Sequence, residues 1–202
     1  MATISLPALD VLALAPFPVR RFTVEEYHRL GQLGVLTEDD RVELLDGWIV
    51  PKMNLNPSHS VSVQLVDDAV RKQLPAGWCI RIQDAITTAD SEPEPDVAVV
   101  RGSIRDYTSR HPGPDDIGLV VEVADTSLAR DRYKCGLYGR SAIAAYWIVN
   151  LIDRRVEVYS DPTGLDANPG YRRRADYGED EQVPLAVDGR EIARLQVRDL
   201  LP

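Results

Sequence analysis

Ile117-Gly118-Leu119-Val120-Val121-Glu122-Val123 is an apolar run interrupted by one carboxylate. It is apolar at nearly every position rather than at alternate ones, which predicts a central strand buried on both faces. Strand-like and helix-like pieces alternate on either side of it, so the run marks the middle of a sheet with helices packed against it. An ionised Glu122 within such a strand is costly to bury unless a cation or several donors meet it. At an exposed strand end the same residue would cost nothing.

Working toward the N-terminus, Arg101 to Asp116, punctuated by Gly102, Pro112, Gly113 and Pro114, predicts a long loop able to cover a site or bind a partner. Before it, Asp96 to Val100 follows Glu92-Pro93-Glu94-Pro95 and reads as a strand, as does Trp78 to Ile82. Asp96 alone is an ordinary turn residue after proline. Adjacent strands presenting Asp96 and Glu122 at neighbouring ends would instead make a hard-oxygen pocket, suited to Mg²⁺ or Mn²⁺ rather than zinc. Asn56-Pro57-Ser58 starts a helix, in which Val61, Leu65 and Ala69 with Val66, Val70 and Leu74 predict an amphipathic face ended by Pro75 and Gly77. Arg41 to Leu45 and Trp48 to Val50 flank Asp46-Gly47, a hairpin-turn dipeptide, and so place Glu43 on a strand near a turn. Thr23 and Glu26 form a capping box ahead of a short helix through Leu33, stopped at Gly34.

On the C-terminal side, a helix is predicted from Leu128 to Ile143, then strands Tyr146 to Asn150 and Val156 to Ser160 about a turn at Asp153-Arg154. Asp161 to Gly170 reads as a loop, and short pieces near Tyr171, Val183 and Ile192 as a peripheral β extension. Lys134 shares a helix face with Leu137, Tyr138 and Ser141, so it either leans inward, where it can stabilise charge on a phosphoryl oxygen, or snorkels at the surface.

The chain has 202 residues, 44% hydrophobic and 27% charged, which suits one folded domain over 21–202 behind a flexible arm over 1–20. The arm is apolar from Leu6 to Val19, but it contains Asp10 and three prolines and lacks a basic start, unlike a secretory signal. No stretch approaches the roughly 18 apolar residues of a spanning helix, so no membrane partner is expected. Cys79 and Cys135 lie in apolar segments without metal-ligand spacing, as buried thiols of a cytoplasmic protein would. The net charge of -9 excludes nucleic-acid binding by bulk positive charge and requires any such contact to be local. Arg130, Arg132 and Lys134, and Arg172 to Arg174, are basic clusters of the kind that usually forms a solvated face. His28 and His111 read as surface residues, and His59, at a helix start, as a cap, a packing residue or a site residue. No zinc-ligand array, Ser/His/Asp motif or nucleotide-binding glycine loop is present. Apolar edge segments are compatible with a homodimer.

Glu43-Leu44-Leu45-Asp46-Gly47, Pro57-Ser58-His59, Pro95-Asp96-Val97, Val121-Glu122-Val123, Lys134 to Tyr138 and Tyr146-Trp147-Ile148-Val149 together resemble the bacterial Uma-two family, within the PD-(D/E)XK nuclease superfamily. The likeness runs from about Phe22 to Tyr159. It implies a restriction-endonuclease-like α/β fold, a mixed sheet flanked by helices, and a Mg²⁺-dependent site (Mn²⁺ substituting) that cleaves nucleic acid, DNA first. By that resemblance the catalytic set is Glu43, Asp96, Glu122, Lys134 and Tyr138, with Asp96 and Glu122 as metal ligands and His59 as an accessory. The sequence departs from the pattern at Ala124, where the superfamily carries its lysine, at Trp48, often acidic in the family, and at Asp125-Thr126-Ser127, which lacks the usual proline. Two other classes fit the same residues: a catalytically silent nucleic-acid- or protein-binding module on this fold, and a small-molecule phosphoesterase.

Overall fold

A computed structural model of the protein describes residues 19–53 and 56–202. Most of the arm expected over 1–20 lies outside the described residues. A six-stranded sheet runs in the order β3 (Trp78–Ile82), β4 (Val97–Arg101), β5 (Ile117–Ala124), β6 (Ala145–Asn150), β7 (Arg155–Pro162) and β8 (Tyr171–Gly178). The β5–β6 pair is parallel and the other neighbours antiparallel. β5 is buried at all eight positions, as its unbroken apolar run requires.

Side-chain alternation divides the core in two. Val97, Val99, Leu119, Val121, Val123, Trp147 and Val149 point to one face, where helix α2 (Pro57–Arg71) lays Val63, Val66 and Val70 over them. Ala98, Val100, Val120, Ala124, Tyr146 and Ile148 point to the other, covered by Leu137 and Tyr138 of helix α3 (Leu128–Arg140). Each apolar side chain withdrawn fully from water contributes about 1.5–3 kcal/mol. Glu122 stands between Val121 and Val123 and therefore points to the α3 face.

The C-terminal β extension divides its work. β8 lengthens the main sheet, while the hairpin of β9 (Gln182–Val187) and β10 (Arg190–Gln196) folds over the α2 face with Val183, Leu185 and Leu195. β1 (Val42–Leu45) and β2 (Trp48–Pro51) form the expected hairpin, with Asp46 at φ 50° and Gly47 at φ 74°. Arg140 and the Tyr133 hydroxyl of α3 both bond the Asp46 carboxylate, which clamps this hairpin onto α3. Helix α1 (Val24–Gln32) begins with the expected Thr23–Glu26 capping box.

Two helices differ from their sequence expectation. On α2 the buried face is His59, Ser62, Val63, Val66 and Val70, and Val61 is exposed. The Ser62 hydroxyl explains part of the rotation, since it donates to the Leu200 carbonyl (2.7 Å) and is spared an unsatisfied burial. α3 ends at Arg140 instead of Ile143, because Ala142 adopts φ 58° and turns the chain into β6. The Arg130–Lys134 and Arg172–Arg174 clusters also separate: Arg132 and Arg174 pair with the fully buried Glu157, while Lys134 turns inward.

Candidate active site

Glu122 meets α3 in the interior. Lys134 Nζ lies 2.9 Å from Glu122 Oε1, and the Tyr138 hydroxyl donates to the same oxygen, also at 2.9 Å. Lys134 and Tyr138, four residues apart on a helix, share one face and grip one carboxylate oxygen together. Lys134 Nζ also lies 3.5 Å from Glu43 Oε2, carried in by β1, and the Glu94 backbone N–H donates to that oxygen (3.2 Å).

Asp96 immediately precedes β4. Its Oδ2 accepts from the Val123 backbone N–H (2.8 Å) and bonds His59 Nε2 (3.1 Å), and its Oδ1 accepts from Gln83 Nε2 (3.3 Å). His59 reaches it from the first turn of α2, whose Asn56 cap accepts the His59 backbone N–H. His59 Nδ1 is buried without a partner. Burial lowers the His59 pKa, but the hydrogen bond and charge of Asp96, aided by Asp131 and Asp125, outweigh it and leave the imidazole raised.

These residues surround a cleft of about 390 Å³ lined by Glu43, His59, Asp96, Glu122, Asp131 and Lys134, with Tyr138 behind Glu122. Asp131 is the member that sequence reading missed. It is buried, its carboxylate accepts from Ser127 Oγ, and burial pushes its carboxyl up to about 6. It sits one helical turn before Lys134, so the face 131, 134, 138 was a usable signal. Gln83, at φ 51°, was also missed, and no sequence signal points to it.

Four buried carboxylates, Glu43, Asp96, Glu122 and Asp131, thus share one buried ammonium. Burial raises Glu122 above the usual carboxylate range, and Asp96, Asp131 and Glu43 push the same way while Lys134 opposes. Lys134 is held above its ordinary value, since Glu122, Glu43 and Asp131 outweigh its own desolvation. This donor set of carboxylate oxygens suits a hard dication that keeps several waters and takes only one or two protein carboxylates. Among the described residues, the acidic cluster does not bring three ligand atoms within 4.8 Å of one another, whereas His28, Glu92 and His111 do. His28 is exposed, as expected, and His111 half-buried. The Arg101 to Asp116 loop does not line the acidic cleft but walls a larger neighbouring one of about 980 Å³.

A mixed sheet that delivers Asp96, at the start of β4, and Glu122 of β5 to one cleft, where the β1–β2 hairpin adds Glu43 beside a buried lysine, defines a restriction-endonuclease-like protein. A family model described as "Putative restriction endonuclease" (Uma2) matches residues 24–195, and the chain belongs to that family. A crystal structure of a protein from Anabaena variabilis ATCC 29413, described as a "putative nuclease belonging to DUF820", matches with a TM-score of 0.65 at 18% identity, over 89% of this chain and 97% of that one. At this identity the likeness is one of fold. No curated protein matches the chain.

Proposed function

We propose that the protein is a Mg²⁺-dependent endonuclease that hydrolyses phosphodiester bonds of DNA, with Asp96 and Glu122 as metal ligands and Mn²⁺ able to substitute. The observation that carries this reading is the excess of buried carboxylates over buried cations in one cleft, in a chain of this family. Burying several like charges together is costly, and a dication offsets that cost.

When bound, the metal would act as a Lewis acid on a phosphate oxygen and lower the pKa of a coordinated water. The chain's own groups hold that arrangement. Tyr138 and Lys134 occupy Glu122 Oε1, so Oε2 is the oxygen with which Glu122 would hold the metal. His59 and Gln83 fix Asp96 as positioning residues. The Lys134 ammonium would stabilise negative charge developing on the phosphoryl oxygen. Glu43 holds Lys134 from its second side.

Ala124 explains why the lysine comes from a helix. Residues 122 and 124 share one face of β5, so a lysine at 124 would lie beside the carboxylate, and Lys134 of α3 covers the same face. Arg41, Lys52 and Arg130 line the cleft and supply the local positive charge that an acidic protein needs to meet a phosphate backbone.

Calorimetric titration of Mg²⁺ and Mn²⁺ into the wild type and an Asp96→Ala, Glu122→Ala double variant, with and without duplex DNA, tests the reading. Saturable binding that a still-folded double variant loses, together with metal-dependent cleavage of plasmid DNA by the wild type, is expected. No metal binding by the wild type even with DNA present would overturn it in favour of a silent binding module on this fold.

A further inference from the structure

Away from the acidic cleft, three segments distant in sequence converge on one buried carboxylate. Glu92 lies just before β4 in an extended piece that bridges Leu44 of β1, and its backbone N–H donates to the Leu44 carbonyl (2.7 Å). Its side chain is 5% exposed. His28 of α1 places Nε2 2.8 and 2.7 Å from the two Glu92 oxygens. His111, from the loop between β4 and β5, brings its ring centroid within 6.3 Å of that of His28. Ligand atoms of all three residues lie within 4.8 Å of one another.

The surroundings hold these groups in place. Thr87 Oγ1 donates to Glu92 Oε2 (2.8 Å), and the Thr87 backbone N–H donates to the Pro112 carbonyl, next to His111 (2.9 Å). One residue therefore fixes both the carboxylate and the loop that carries the second imidazole. Arg110, bonded to Asp116, donates to the His111 carbonyl (3.2 Å). An outer partner that orients a ligand, as Thr87 does Glu92, is a feature of metal-binding sites.

We propose that His28, Glu92 and His111 form a second metal site for a borderline dication of the Zn²⁺ class, distinct from the Mg²⁺ site, which cross-links α1, the Glu92 segment and the β4–β5 loop. Two imidazoles and one carboxylate are a Zn²⁺ donor set, whereas carboxylate ligands such as Asp96 and Glu122 favour Mg²⁺. Tetrahedral Zn²⁺ with bonds of about 2.0–2.1 Å needs ligand atoms about 3.3 Å apart, so the three groups reach it by small side-chain movements. Three protein ligands leave one position open. His28 and His111 line the 980 Å³ cleft, and that cleft shares Glu38, Arg41, Lys52 and Glu94 with the acidic one. The ion would set the position of the wall between the two. The proposal does not depend on the nuclease reading.

The test is titration of Zn²⁺ into the full chain in excess Mg²⁺, followed by calorimetry and thermal melting, with Co²⁺ as a spectroscopic probe. The wild type and the Asp96→Ala, Glu122→Ala variant are expected to bind one equivalent of Zn²⁺, gain melting temperature, and give with Co²⁺ the intense visible absorption of a four-coordinate ion. His28→Ala, His111→Ala should bind at least tenfold more weakly and lose the Co²⁺ absorption. The single variant His111→Ala, altered only in a loop, serves if the double variant does not fold. Zn²⁺ affinity within twofold between the wild type and the histidine variants would overturn the proposal, as would a wild type that takes up no Zn²⁺.

Discussion

Lys134 Nζ reaches Glu122 Oε1 at 2.9 Å from a helix laid across the strand that bears the carboxylate. Both groups are buried, so each depends on the other for its charge. Lys134→Met should destabilise the metal-free protein by about 3–5 kcal/mol, because it leaves carboxylates uncompensated. Under the proposed function, Mg²⁺ should then raise the melting temperature of the variant more than that of the wild type, while the DNA cleavage rate falls by about 10² or more. Thermal melts with and without Mg²⁺, beside single-turnover cleavage, check both parts. An unchanged rate would remove Lys134 from the chemistry.

Tyr138 gives a milder and more selective case. Its hydroxyl donates to the oxygen that Lys134 occupies, and its ring packs against Tyr146 with centroids 4.9 Å apart. Tyr138→Phe keeps the ring contact and removes one hydrogen bond to a charged acceptor, a loss of about 1.5–3 kcal/mol. The expected outcome is a folded protein whose Mg²⁺ dissociation constant rises about tenfold, measured by calorimetry. An unaltered constant would mean that the hydroxyl has no part in positioning Glu122.

Much of this arrangement was legible in the sequence, because strand burial and strand alternation are read directly from residue type. The apolar run about Glu122 specified a strand buried on both faces, and Asp46-Gly47 specified the turn that delivers Glu43. Asp131 was harder to see: an aspartate in the first turn of a helix looks like an ordinary helix-start residue, and only the strand beneath turns it into part of a cleft. The Glu92 cluster was not legible at all. Its three residues come from a helix, an extended segment and a loop, and no local periodicity links positions 28, 92 and 111.

Glu157, outside the cleft, makes a pH prediction. Burial alone would raise its pKa, but hydrogen bonds from Arg132, Tyr159 and Asn150 and the charge of Arg174 bring it down to about 2. A carboxylate depressed in the folded state stabilises above its unfolded value of about 4.3, and that contribution is lost as pH falls from there through about 2. The two arginines are partly solvated, so the contribution is on the order of 2 kcal/mol. Glu157→Gln should be less stable than the wild type by this amount at neutral pH, and the difference should shrink as pH is lowered from about 4.5 toward 2. Denaturant melts across that range check it, and a gap independent of pH would refute the assignment.

Two glycines one helical turn apart on α3 should respond oppositely to alanine. At Gly136 an added Cβ meets only the Pro169 carbonyl oxygen at an ordinary 3.5 Å, so Gly136→Ala should be neutral or stabilising by up to about 1 kcal/mol through helix propensity. At Gly139 the Cβ would fall on the backbone of Gly170, which cannot rotate aside as a side chain does. The helix would have to lift from the segment leading into β8, and overpacking of this kind costs about 1–3 kcal/mol, more than the propensity gain. Because α3 also carries Lys134 and Tyr138, a lifted helix withdraws both from Glu122. Gly139→Ala is therefore expected to lose Mg²⁺ affinity as well as stability, and Gly136→Ala to keep both, as measured by calorimetry and chemical denaturation. Equal behaviour of the two variants would show that the close approach of α3 to Gly170 does not set the geometry of the cleft.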